Sequence, residues 1–325
     1  MQKLLKPLLP LLFVTACTTE RETTSVALGS GAIGGNYQAA GHAIARAVNE
    51  NATSQATLLQ EQASSGSVAN IDALLSGEIA FGIAQADHLY QAVQGQGAWA
   101  ERGPQAQLRA VFGLYTESVT LLAAADTAIE AIADLKDLKV DIGLPDTGTR
   151  QNAIDALTAA GINWESDLEA HAEPLDSRLT RFAHGGLDAF FYTISHPNST
   201  MKFATYTVRG ARFVPLANVE ALVDASPYYT QTTIPVDLYP QAANSEDVET
   251  IGVKALLVTS ADVPEELVHR VAEAVFANLR TQQENHEVLG SLSADEVLNG
   301  LTAPLHPGAR RYFEESGHPV VSSIQ

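Results

Sequence analysis

The sequence predicts an α/β protein of two successive α/β units with a helical tail. Two observations carry this expectation. Short apolar runs of strand length alternate with stretches at helical spacing, and the alternation changes character after the second unit, where helical patterns dominate. Residues 25–28 form a β-like run that stops at Gly29-Ser-Gly-Ala-Ile-Gly-Gly35. Asn36 can cap a helix over 37–49, in which Ala40, Ala43, Ile44, Ala47 and Val48 repeat on one face. A polar strand over 56–61, a helix over 67–75, a buried strand over 79–84 and a helix over 87–93 follow. Residues 94–107 are rich in Gly and Gln and read as a surface excursion before a strand over 108–114.

A further strand over 119–123 lies where the chain is expected to cross between units. The second unit continues with a turn at 132–135, a strand over 139–143, a loop over 144–148 and a helix over 149–160. A helix over 175–182 ends before Gly185-Gly186, and strands follow over 187–192 and 213–216. The long apolar run 250–258 is placed to return to the first sheet. Asp262 and Glu265 have capping-box spacing before a helix carrying Leu267, Val271, Ala274, Val275 and Leu279, and Ser293 and Glu296 repeat that spacing. The expected division is therefore 25–118 with 226–325 for the first lobe and 119–225 for the second.

Composition excludes several function classes. With 38 acidic side chains against 19 Lys plus Arg, the net charge is -19, and no basic run offers a footprint for nucleic acid. One cysteine cannot build an internal disulfide, a Cys-rich zinc site or an iron–sulfur cluster. That cysteine closes an informative N-terminus. Lys3 and Lys6 precede an apolar run, 8–14, which ends in Val14-Thr15-Ala16-Cys17. This is the order of an export signal, too short to span a bilayer. It resembles the bacterial lipoprotein signal, in which the cysteine is lipidated and becomes the new N-terminus. Residues 1–16 are then leader and 17–24 a polar tether to an extracytoplasmic body.

Gly29-x-Gly31-x-x-Gly34 is a literal dinucleotide fingerprint between a strand and a helix. Glu61 could be its ribose acid, but it lies 27 residues beyond Gly34, and no hydride-transfer machinery accompanies it. The same loop can hold a carboxylate, because free N–H groups and the helix dipole favour any anion; it can also be only a tight turn. Asp146-Thr-Gly-Thr-Arg150 is the stronger polar cluster. Arg150 either forks onto a ligand carboxylate or pairs with Asp146 four residues away. Asp87 either caps its helix or faces a ligand ammonium group. Signatures of zinc proteases, serine hydrolases and P-loops are missing, and the nine histidines are dispersed. This points to binding rather than catalysis, with no cofactor or metal. Were a reaction to occur, Asp87, Glu117 and Asp146 would be the first carboxylates to test.

From residue 26 to 320 the sequence resembles the solute receptors of the TAXI class of TRAP (tripartite ATP-independent periplasmic) transporters. Gly29-Ser-Gly-Ala-Ile-Gly-Gly-Asn-Tyr37 with Gly41 resembles the family's opening GSGSxGGxYYPxG, with Gln38-Ala39 in place of Tyr-Pro. Phe81-Gly-Ile-Ala-Gln-Ala-Asp87 resembles a family strand and turn. Residues 138–153 resemble GKRVSVGxPGSGTxxNA, with Asp146-Thr147 replacing Gly-Ser. Ala189-Phe-Phe-Tyr192, His196-Pro-Asn198 and the stretch from Leu305 to Gly317 resemble later blocks. The resemblance implies a type II periplasmic-binding-protein-like fold, two lobes closing around a cleft on a small organic anion, an amino acid such as glutamate or a dicarboxylate. It implies delivery to a TRAP-type integral membrane permease by a lipid-anchored monomer. The cleft residues it implies are Gly34, Gly35, Asn36, Tyr37, Gln85, Asp87, Thr116, Thr147, Gly148, Thr149, Arg150 and Phe191. A sensory lipoprotein is the alternative function, and a nucleotide-dependent oxidoreductase the remote one.

Overall fold

The computed structural model describes residues 24–50, 52, 57–216, 218–277, 289–290, 292–293 and 296–318. The leader, Cys17 and most of the tether lie outside them. Among the described residues no helix is long and apolar enough to cross a membrane.

Strands β1 (Ser25–Gly29), β2 (Leu58–Gln62) and β3 (Phe81–Gln85) pair in parallel in the order β2-β1-β3. Parallel neighbours need crossovers, and helices α1 (Asn36–Glu50) and α2 (Ser67–Ser76) supply them, while α3 (Ala86–Gln94) leads on from β3. Helix α1 buries the predicted face: Ala40, Ala43, Ile44, Ala47 and Val48 are all enclosed. Gly41 lets it approach β1, since a Cβ there would stand 3.0–3.1 Å from Glu61, Ser30 and Leu28.

The predicted strands at 108–114 and 119–123 are one strand, β4 (Leu108–Ala124), 17 residues long. The polar interval Tyr115-Thr-Glu-Ser118 suggests a break, but Tyr115, Glu117 and Ser118 are buried inside the strand. The second half contains β5 (Lys139–Asp141), α4 (Gly148–Ala159), β6 (Glu169–His171), α5 (Leu175–Ala183), β7 (Ala189–Ile194), α6 (Ser199–Thr205), β8 (Ala211–Val214), α7 (Glu220–Ala225) and β9 (Tyr229–Ile234). Strand β10 (Val248–Ser260) returns to the first sheet, as the apolar run suggests, and pairs antiparallel with β3 and β4. Helix α8 (Glu265–Phe276) starts after Pro264, so Asp262 does not stand at its N-cap. Helix α9 (Pro307–Glu315) packs against α8.

Both long strands change partners midway. Along β10, residues 248–253 pair with β9 and residues 255–259 with β3. Along β4, residues 108–118 pair with β10, and beyond them β7 and β8 take the two edges. One sheet thus runs β2-β1-β3-β10-β4-β7-β5-β6 through both halves. Val119, the expected first residue of the second lobe, lies inside β4. An apolar cluster that includes Ile71, Leu89, Val253, Leu121, Ala153 and Phe191 follows the two strands across, while separate clusters pack each half's other face.

The second half carries a buried ion pair. Arg178 Nε lies 2.8 Å from Asp141 Oδ1, with both side chains enclosed. Asp141 also accepts from the backbone N–H groups of Gly143 and Glu173. Removing the guanidinium strands a buried carboxylate. Arg178→Ala should therefore lower the unfolding free energy by about 3–5 kcal/mol. The double variant Arg178→Met/Asp141→Leu should recover most of that loss. Urea denaturation of the three proteins checks this, and equal stability of the single variant and the wild type would contradict it.

Candidate functional site

The site lies where chain segments from both halves meet above β4. Gly34 has φ near +80°, a left-handed conformation that opens the first turn of α1. The turn leaves Gly34 exposed and Gly35, Asn36 and Tyr37 half-buried. Asn36 Nδ2 donates to Ser195 Oγ at the end of β7, which ties the glycine loop to the opposite half. Tyr37 turns inward, and its hydroxyl donates to Glu117 Oε2 at 2.9 Å.

Glu117 is the centre of this arrangement. It is only 3% exposed. Gln85, the last residue of β3, donates its Nε2 to the same Oε2 at 3.2 Å. Burial pushes the Glu117 carboxyl up to about 7; Asp87 adds to that, while the hydrogen bonds from Gln85 and Tyr37 oppose it. Burial and the Glu117 charge likewise raise the Tyr37 and Tyr115 hydroxyls well above the usual tyrosine range. A bulge sits beside this group, since Gly113 and Thr116 of β4 face Leu256 and Lys254 of β10 with an extra β4 residue between them. Bulges re-aim side chains within a strand, and Tyr115 lies in this one.

The opposing wall is the start of α4. Thr147 accepts from the Arg150 backbone N–H and caps the helix, while its hydroxyl donates to the Leu144 carbonyl at 2.7 Å. Gly148 comes directly against Gln85: a Cβ there would lie 1.7 Å from Gln85 Oε1. Thr149 Oγ1 accepts from the Thr193 backbone N–H of β7. Beside it, Asn152 Nδ2 donates to Asp87 Oδ2 at 2.7 Å and lies 2.8 Å from the Tyr229 hydroxyl, which donates to Asp155. Thr193 Oγ1 donates to Asn152 Oδ1. This buried network joins α3, α4, β7 and β9.

Gln85, Asp87, Asn36, Tyr37, Gly148 and Thr149 therefore come together. Asp87 is already committed, since Oδ1 accepts from the His88 N–H and Oδ2 from Asn152. Three other expected residues lie elsewhere. Phe191 is wholly buried in the apolar cluster beneath the sheet, where its ring packs as core. Thr116 is exposed and lines a cavity of about 330 Å³ with Tyr115, Ser118, His196, Thr232 and Lys254. Arg150 places its guanidinium 4.8 Å above the Trp164 ring and donates to the Gly143 carbonyl, so neither the fork onto a ligand nor the Asp146 pair is formed. Glu61, the ribose-acid candidate, accepts from Ser30 and lies 2.7 Å from His42.

Sequence reasoning did not single out Tyr115, Ser195, Asn152 or Tyr229, and it named Glu117 only as a fallback acid. A polar triplet inside an otherwise apolar strand was the signal available for Glu117. Among the described residues no group of three or more His, Cys, Asp or Glu could hold a metal ion.

A model of the NMT1-like family matches residues 28–317. Among solved structures, the periplasmic aliphatic sulphonate-binding protein SsuA from Escherichia coli is similar at 16% identity and a TM-score of 0.51, covering 91% of this chain and 84% of that one. A protein from Bordetella bronchiseptica RB50 is similar at 12% identity and a TM-score of 0.50, covering 90% and 98%. The fold is that of a type II periplasmic binding protein, with two α/β lobes.

The Glu117 environment has a thermodynamic consequence. Between its ordinary value of 4.5 and about 7 the folded protein holds a proton that the unfolded chain has lost. Stability of the ligand-free protein should therefore fall as pH rises through that window. Glu117→Gln should remove this contribution and exceed the wild type above pH 7 by roughly 2–3 kcal/mol. Chemical denaturation at pH 5 and pH 8 measures it; a wild-type advantage at pH 8 would contradict the burial argument.

Proposed function

The chain belongs to the NMT1-like family, and on that premise we propose that it is an extracytoplasmic receptor that captures a small organic anion by lobe closure. The candidate solutes are amino acids, such as glutamate, and dicarboxylates. Gly148 carries this reading. Only a residue without a side chain lets the N-terminus of α4, on one lobe, seat against Gln85 on the other. The Asn36–Ser195 hydrogen bond spans the same gap. A ligand gripped from both sides selects the closed state and gains binding strength from the water it excludes. Donors for a carboxylate are available at Asn36, at Ser195 and at the first turns of α1 and α4.

No reaction is part of this reading. The buried acid at the centre is hydrogen-bonded by a tyrosine and an amide, and its acidic neighbour Asp87 is committed to the His88 N–H and to Asn152. The proposed partner is a TRAP-type membrane permease, supported by the five blocks that resemble the TAXI receptors. Anchoring through Cys17 would hold the receptor at the membrane as a monomer. Intact mass after membrane extraction should show an acylated chain beginning at Cys17, and an unmodified cysteine from a host competent in lipoprotein processing would sink the anchor.

Closure can be tested directly. Native mass spectrometry should identify a retained solute, and small-angle scattering should give a smaller radius of gyration with saturating solute than without it. Gly148→Ala should bind at least about tenfold more weakly and remain expanded, because its methyl group displaces the Gln85 amide. Superimposable wild-type scattering curves with and without solute would refute the clamp.

A further inference from the structure

We infer that Glu117, together with Gln85 Oε1 and the Tyr115 hydroxyl, forms a seat for a primary ammonium group, so that the solute is an amino acid rather than a dicarboxylate. The inference rests on the solute-binding reading and narrows it.

Two enclosed acceptors near Glu117 are unpaired among the described residues, and the hydrogen bonds to Glu117 leave one carboxylate oxygen open. Both hydrogen bonds to Glu117 fall on Oε2, leaving Oε1 to accept from a guest. Gln85 Oε1 and the Tyr115 hydroxyl oxygen are enclosed and have no hydrogen-bond partner. Gln85 and Tyr115 are 4% and 5% exposed, so water does not serve them freely. Buried polar atoms are rarely left unpaired, and an unpaired set grouped around a carboxylate calls for a donor with several protons. An ammonium group has three donors and no acceptor, which matches this set.

Charge points the same way. No cation contributes to the Glu117 environment, whereas Asp87 adds negative charge beside it. The groups facing Glu117 are Tyr37 from α1, Gln85 and Asp87 from β3 and α3, Tyr115 from its own strand and Tyr192 from β7. Of the cations nearby, Arg178 lies 5.6 Å from the Tyr192 ring centre and is held by Asp141, and Lys254 of β10, opposite Thr116, donates to the Glu296 and Asn299 carbonyls. A second ligand carboxylate would enter a pocket already negative and find acceptors where it needs donors. An ammonium group would neutralise Glu117 and use every open acceptor. Since Gln85 Oε1 lies against Gly148, the seat is completed only when the lobes are together.

Binding of an ammonium group requires the carboxylate form. Because burial holds the Glu117 carboxyl up to about 7 in the free protein, amino-acid affinity should drop as pH falls below that value, approaching tenfold per pH unit.

The test uses the purified full chain and calorimetric titration with the twenty amino acids, each beside its deaminated acid: L-glutamate with glutarate, L-alanine with propionate, and so on. At least one amino acid should bind about a hundredfold or more tightly than its deaminated partner. Glu117→Gln should weaken that amino acid by about thirtyfold or more and the deaminated acid by far less, so that the preference between the two collapses. Should Glu117→Gln fail to fold, Tyr115→Phe and the wild-type pH profile carry the same question, with an expected loss of several-fold and the fall below pH 7. Equal affinity for an amino acid and its deaminated partner would overturn the ammonium seat. So would a retained solute without an amino group that closes the lobes, and in that case the receptor reading stands. A chain that neither binds nor closes on any solute loses both.

Discussion

The architecture depends on the pairing of β4 with β10. These two antiparallel strands run on through both lobes, and every other strand but the outermost two, β2 and β6, attaches to one of them or to a neighbour of one. Their mutual pairing ends at Ser118 and Gly252, but each strand runs on into the second half with new partners, so the lobes share backbone rather than only a linker. A ladder resists stretching and slippage but accepts twist, which permits the lobes to swing without losing register. Of the two bulges on the β4 side, the one near Tyr115 stands beside the buried acid. Mobility and recognition therefore meet on the same few residues.

Electrostatics in this molecule is local. The chain carries a net charge of -19, yet its central acid is neutral over part of the physiological range because burial outweighs its hydrogen bonds. The arginines are largely spoken for. Arg178 holds Asp141, Arg181 holds Glu173, Arg209 holds Asp126, and Arg150 rests on Trp164. On the proposed reading, recognition of an anion falls to neutral donors and helix starts, which act over a short range and demand close approach. That demand is met at Gly148, whereas Gly34 answers to its left-handed backbone.

Most of the fold was legible because period and turn chemistry act locally. Helix α1 needs only its apolar spacing, and β10 only its apolar run. The merger of two expected strands into β4 was not legible, since Glu117 and Ser118 look like surface residues until β10 and α1 are brought over them. The same limit applies to the site. Glycines mark where backbone must turn left-handed or come close, and Gly34 serves the first need and Gly148 the second. The direction of a side chain depends on distant partners: Trp164 draws Arg150 away, and Leu121 across the sheet fixes Phe191 in the core. Asp87 could be read equally as a cap or a ligand, and Asn152, 65 residues later, decides what its second oxygen holds.

The long reach of the central ladder also governs how the chain can acquire its shape. Thr250 Oγ1 donates to the Val119 carbonyl across 131 residues of sequence, and β10 closes against β3 from a similar remove. A polypeptide that emerges N-terminus first can form α1 and the early parallel strands, but it has no partner for the outer edge of β3 or for the long edge of β4 until β10 arrives. High contact order of this kind makes folding slow and late. The exposed edges in the meantime are apolar and open to pairing with another chain. The crossing that lets the finished receptor bend thus leaves the growing chain uncommitted until about four-fifths of it is present, a delay that suits a polypeptide handed through a narrow passage before it folds.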